Sequence, residues 1–263
     1  MDTYTKFVRF ATLCFISIAL SSFSNNPVLS QESKALGFEI LQQLPHSETN
    51  FTQGLFFYED SLYESTGQYS KSKLIRYKDD LHSELIVKSV APRYFAEGAT
   101  DHQGTIYQLT WHAETAFAYD PRRLSEKDGF TYDGEGWGLT SDGEHLWISN
   151  GSNVINKLDT SGEVIETINV SFNGNPLDRL NELEWIDGKI FANRWYDNHI
   201  YVIDSESGAV LSHLDLQSIA APELSVSGEH VLNGIAWNQK TETLWVTGKN
   251  WRNLYEIKLL QND

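Results

Sequence analysis

The strongest constraint on this 263-residue chain is a repeat. Five segments, 53–67, 97–111, 137–151, 181–195 and 233–249, share one pattern: a small or polar doublet, an apolar strand, a turn, then a second apolar strand. The doublets are Gln53-Gly54, Glu97-Gly98, Trp137-Gly138, Asn181-Glu182 and Asn233-Gly234, so their second members recur at intervals of 44, 40, 44 and 52 residues. The last interval is stretched by an insertion rich in Ala, Pro, Ser and Gly over 217–228. A period of roughly 40–50 residues holding several short strands is the signature of a propeller blade, because one such unit cannot bury its apolar face alone and must stack on its neighbours. Turn sequences agree: Asp101-His102-Gln103-Gly104, Ser141-Asp142-Gly143, Ile186-Asp187-Gly188 and Asn238-Gln239-Lys240 each separate two runs rich in Trp, Tyr, Ile and Leu. No helical period persists through the body. The expected fold is all-β, a single five-bladed β-propeller over 38–260, with a sandwich or a six-bladed ring as rival layouts. A strand candidate at 38–44 precedes the first repeat and would close the ring by joining the last blade, protecting an open edge.

Composition narrows the function. With 20 basic against 36 acidic residues and a net charge of −16, the chain would repel phosphate backbones, so no nucleic-acid partner is expected. One Cys excludes an intramolecular disulfide framework and a thiolate zinc site, and the eight His are scattered without metal-ligand spacing, so no metal or other cofactor is expected. At the N-terminus, Lys6 and Arg9 precede a short apolar run over 10–20 and the small-residue exit Ser22-Phe23-Ser24, the order of a secretory signal peptide. The expected organisation is a signal over 1–24, a linker over 25–37, and an exported domain, periplasmic or secreted, that acts as a monomer and needs no membrane. The sequons at Asn50, Asn150 and Asn169 matter only where exported proteins are glycosylated.

In a propeller, residues at equivalent strand ends surround the mouth of the central channel. Gln53, Glu97, Trp137, Asn181 and Asn233 start the first strands of their repeats, and Trp111, Trp195 and Lys249 end the second strands. One carboxylate, several amides, one amine and three indoles on one axis point to a binding site. The plainer reading is that Trp and Gly recur in blades to pack neighbouring sheets, and it suits Trp147, Trp237 and Trp245, which alternate inside strands. Glu97, between Phe95-Ala96 and Gly98, would need partners or a raised pKa if buried, or else is a solvated acid. Lys249 and Asn181 could likewise be a surface amine and a turn amide. Gly134-Glu135-Gly136-Trp137-Gly138 precedes no helix and so is not a phosphate cradle, and no nucleophilic Ser elbow occurs.

The segments Phe51-Thr52-Gln53-Gly54-Leu55, Glu97-Gly98, Tyr107-Gln108-Leu109-Thr110-Trp111, Gly134-Glu135-Gly136-Trp137-Gly138, Leu180-Asn181-Glu182-Leu183-Glu184, Ala192-Asn193-Arg194-Trp195 and Leu232-Asn233-Gly234 together resemble the plant and bacterial type of glutaminyl-peptide cyclotransferase, or glutaminyl cyclase. The likeness touches every repeat. It implies a five-bladed propeller, conversion of an N-terminal Gln of peptides or proteins into pyroglutamate with loss of ammonia, and no metal. It also implies a site made of Glu97, Asn181 and Lys249 as catalytic groups, with Phe51, Gln53, Phe95, Trp111, Trp137 and Trp195 around the substrate. Glu97 would act as general base and then acid. Two other readings remain open: a non-catalytic propeller that binds N-terminal Gln or pyroglutamyl peptides, and a glycan-active propeller in which Glu182 or Glu184 supplies a second acid.

Overall fold

The computed structural model describes Met1, Ser33–Leu224 and Gly228–Leu260. The signal expected over 1–24 and most of the linker therefore lie outside the described residues, as does 225–227 within the insertion. The fold is all-β apart from two short helical turns. Its first strand, β1, runs Lys34–Pro45 and so starts earlier than the strand expected at 38.

Three four-stranded antiparallel sheets follow in chain order. The first holds β2 (Thr52–Tyr58), β3 (Ser61–Thr66), β4 (Lys73–Tyr77) and β5 (Glu84–Ser89). The second holds β6 (Ala96–His102), β7 (Thr105–Thr110), β8 (Thr115–Tyr119) and β9 (Glu126–Thr131). The third holds β10 (Leu139–Ser141), β11 (Leu146–Ser149), β12 (Val154–Leu158) and β13 (Val164–Asn169). A small hairpin, β14 (Ser171–Phe172) and β15 (Asn175–Pro176), leads to β16 (Leu180–Ile186), β17 (Lys189–Arg194), β18 (His199–Asp204) and β19 (Val210–Asp215). The insertion forms α1 (Gln217–Ala220) and a 3-10 turn (Ala221–Glu223), and the chain closes with β20 (Leu232–Asn238), β21 (Thr243–Gly248) and β22 (Asn253–Leu260).

β1 joins two of these units. It lies antiparallel to β22, from Gly37 opposite Leu260 to Pro45 opposite Asn253, and its first residues run parallel to β19, with Lys34 opposite Ser212. β1 thus serves as the outer strand beside β22.

Burial follows strand order. The first strand of each unit is buried almost throughout, whereas β5, β9 and β13 are largely exposed. Apolar clusters fill the spaces between neighbouring sheets. Phe56, Tyr63 and Leu74 meet Ala99, Ile106 and Tyr119; Leu109 and Phe130 meet Leu139 and Leu146; Trp147 and Ile155 meet Leu183 and Ile190. Ile200 and Val202 meet Ile235 and Val246, and Ala236, Trp245 and Leu254 return to Leu55, Leu62 and Ile75. The last unit therefore packs on the first. Trp147 and Trp245 are core residues, as their alternation suggests, whereas Trp237 is only partly buried against the core.

Candidate active site

Four first strands carry a pairing irregularity at the same point. β2 slips between Thr52 and Gly54, β6 between Ala96 and Ala99, β16 between Leu180 and Leu183, and β20 between Leu232 and Ile235. An extra residue bends a strand and re-aims the side chains beside it. The residues inside these irregularities are Gln53, Glu97 with Gly98, Asn181 with Glu182, and Asn233 with Gly234. In the third unit Trp137 stands two residues ahead of β10, its N–H donating to the Ser149 carbonyl at 2.9 Å. Trp111, Trp195 and Lys249 each stand one residue past β7, β17 and β21, and their N–H groups donate to Phe95, Arg179 and Val231 at 2.9, 2.8 and 2.9 Å.

These positions converge on one cavity of about 230 Å³, lined by Phe51, Gln53, Phe95, Glu97, Trp111, Trp137, Asn181, Trp195, Glu229 and Lys249. All nine residues singled out from the sequence line it, and Glu229 is the addition. Glu229 lies just past the insertion, where no periodicity marks it. A second missed group is Glu135, in the Gly-Glu-Gly-Trp-Gly stretch. Its Oε2 accepts a hydrogen bond from Nε1 of Trp111 at 2.8 Å and of Trp137 at 2.9 Å. The signal available was a lone acid between two glycines beside a candidate Trp.

The polar groups form a chain. Asn233 Nδ2 donates to the Thr52 carbonyl at 2.9 Å and to Gln53 Oε1 at 3.4 Å, and Gln53 Nε2 donates to Glu97 Oε1 at 2.9 Å. Ser65 donates its hydroxyl to the Glu97 backbone carbonyl, fixing the irregularity from below. Glu97 is only 5% exposed. Burial drives its pKa well above the usual carboxylate range; the Lys249 charge opposes this and Glu135 adds to it. The Lys249 ammonium lies 4.8 Å from the Phe51 ring centre. Burial brings its pKa down to about 8 against the pull of Glu97 and Glu229. Asn181 is buried, and its Oδ1 has no hydrogen-bond partner within the protein.

The walls are aromatic. Phe95 packs edge-on against Phe51 and Trp111 at 6.1 and 5.5 Å, and Trp137 meets Trp195 at 5.6 Å and 82°. Such a site can hold a small polar group by its edges while keeping water out. Neither Glu182 nor Glu184 lines it. Glu182 is committed elsewhere, its two oxygens accepting the N–H groups of Leu55 (3.2 Å) and Ile235 (3.0 Å). Glu184 lines a separate cavity with Asp101 and Trp237 and accepts the Trp237 N–H at 2.8 Å.

Known proteins resemble this chain in both sequence and fold. The family model described as "Glutamine cyclotransferase" matches residues 13–259. The glutaminyl-peptide cyclotransferase of Arabidopsis thaliana is 36% identical over 228 residues, covering 85% of this chain and 71% of the plant protein. The crystal structure of Myxococcus xanthus glutaminyl cyclase superposes with a TM-score of 0.81 at 29% identity, covering 88% of this chain and all of the other. A virginiamycin B lyase from Staphylococcus aureus shares the fold alone, with a TM-score of 0.51 at 11% identity. Matched along nearly its whole described length, the chain belongs to the glutamine cyclotransferase family.

Proposed function

We propose that this protein is a glutaminyl-peptide cyclotransferase, converting the N-terminal Gln of peptides or proteins into pyroglutamate with release of ammonia. The observation that carries this reading is a single cavity holding a buried carboxylic group, two amides, an amine and three indoles, in a chain of this family. The architecture proposed to hold it is a five-bladed propeller, with β1 completing the last blade beside β22 and the last blade returning to the first. Residues 1–24 are proposed as the export signal.

The reaction needs proton traffic and orientation. The substrate's α-amine, with a pKa of about 7.7–8 when free, must lose a proton and attack its own side-chain amide carbon. Nucleophile and electrophile belong to one residue, so holding the folded rotamer can supply several kcal/mol, up to about 7–11 in ideal cases. Glu97 accepts the amine proton and returns it to the departing nitrogen, which leaves as ammonia. A carboxylic group raised by burial is nearer in pKa to that amine, so transfer in either direction meets a smaller barrier. Gln53, held by Asn233, keeps the Glu97 carboxylate aimed. The substrate amide needs an acceptor for its N–H and a donor for its carbonyl, and the Asn181 side chain offers both. Lys249 supports the negative charge that develops on that oxygen. The scheme uses no metal or other cofactor.

The test is a short peptide beginning in Gln, incubated with the protein and a chelator and followed by mass spectrometry. Loss of one ammonia above the spontaneous rate is expected. A folded protein that binds the peptide without converting it would favour the non-catalytic reading.

A further inference from the structure

Glu135 lies on the loop between β9 and β10 and contributes nothing to the cavity lining itself. Its carboxylate nevertheless reaches two of the three indoles that do. Trp111 closes the second sheet and Trp137 opens the third, so one oxygen ties walls from different sheets together. The other oxygen lies 3.5 Å from His112 Nδ1, and the His112 ring stacks on the Trp111 indole at 3.9 Å and 27°. An indole has one donor and no acceptor, so the partner of Nε1 decides which way the ring turns. A charged acceptor makes a bond roughly twice as strong as a neutral one. The far face of Trp137 is fixed as well, because a Cβ added at Gly151 would lie 2.6 Å from its ring. Trp137 in turn meets Trp195 edge-on. The orientation of two of the three indoles thus runs through one half-exposed carboxylate.

We propose that Glu135 is a positioning residue for the reaction, clamping the Trp111 and Trp137 indoles around the substrate side chain and setting a negative charge near Glu97. This rests on the cyclotransferase reading of the same cavity. The charged and polar groups acting on Glu97 include Gln53 by hydrogen bond, Lys249 and Glu135, with the buried Tyr132 also interacting electrostatically with it, and Glu135 works in the same direction as burial.

The test compares wild type, Glu135→Ala and Glu135→Gln, with thermal melts as a folding control. The indole N–H NMR signals of Trp111 and Trp137, assigned through single Trp→Phe variants, are read without substrate. Both signals are expected to shift together in Glu135→Ala while the other six indoles stay in place. With a Gln peptide, KM is expected to rise roughly tenfold in Glu135→Ala and less in Glu135→Gln, which keeps a neutral acceptor. In both variants the acidic limb of the kcat profile moves to lower pH, because removing a negative charge makes Glu97 easier to ionise. Unmoved indole signals would overturn the clamp. Shifted signals with unchanged KM and pH profile would overturn the positioning role. A wild type that does not cyclise the peptide defeats the functional reading, which the indole signals do not depend on.

Discussion

Glu97 and Lys249 share one cavity, and burial works on both. It raises the acid well above the usual carboxylate range and lowers the amine to about 8, so burial draws their proton affinities toward each other. The sign for Lys249 follows directly. Its ammonium is present below about pH 8 and is lost above it, so any rate that depends on that charge falls on the alkaline side. Arg keeps its charge throughout this range. A Lys249→Arg variant is therefore expected to hold its own maximal kcat to higher pH than wild type, read from kcat profiles on a Gln peptide. Superimposable alkaline limbs would assign that limb to another group. Seven of the nine expected positions were aligned by the repeat, whereas Phe51 and Phe95 were expected only from the family resemblance. Glu135 and Glu229 were not legible in the sequence, since loop carboxylates obey no strand period and only the folded rings reveal what Glu135 holds.

The repeated glycine is explained by how closely the first strands cross. A Cβ on Gly54 would lie 2.5 Å from the Ala99 nitrogen, one on Gly98 2.6 Å from the Leu139 nitrogen, and one on Gly138 1.9 Å from the Asn181 carbonyl oxygen. Each glycine is the point where the next unit's first strand comes nearest. In the fourth repeat the doublet carries Glu182 instead, and its carboxylate binds backbone N–H groups of both β2 and β20. The spacing of the doublets was readable from the sequence; the reason for this one departure was not, because it depends on strands far away in the chain. Gly138→Ala is expected to destabilise the protein by about 1–3 kcal/mol, visible as a lowered Tm, since backbone rather than a flexible side chain must give way. Because the displaced carbonyl belongs to Asn181, kcat should fall as well. An unchanged Tm would mean that the crossing is looser than described.

At the scale of the whole molecule, β1 is held by more than its strand pairing. His46, just after β1, places Nε2 3.1 Å from Glu64 Oε1 on β3, while Nδ1 donates to the Trp251 carbonyl at 2.9 Å. Both ring nitrogens thus face acceptors, which favours the imidazolium. Glu64 is fully buried and also accepts from Thr52 at 2.7 Å, Asn50 at 2.8 Å and the Tyr77 hydroxyl. The same contact leaves the Asn50 sequon buried in the fold. Burial pulls the His46 pKa down, but Glu64 outweighs it and the net shift is upward. Burial pushes Glu64 up, and His46, Tyr77 and Thr52 bring it below its ordinary value. The stability from His46 is therefore full below its unfolded value near 6.5 and lost as pH rises through the raised folded value; that from Glu64 is lost as pH falls through its lowered value. The Tm difference between wild type and His46→Gln should be largest near about pH 5.5 and shrink on the alkaline side. A difference independent of pH would remove the ion pair from the account.

All of this structure serves one chemical claim, that Glu97 carries the proton from the substrate's amine to its departing nitrogen. Glu97→Gln preserves shape and can still pair with Gln53, yet it has no proton to exchange. The most direct measurement is kcat and KM of this variant and of wild type on one Gln peptide, with chelator present and the fold checked by melting. The account predicts a fall in kcat of roughly 10²–10⁴-fold with KM little changed. Turnover within about tenfold of wild type would contradict it.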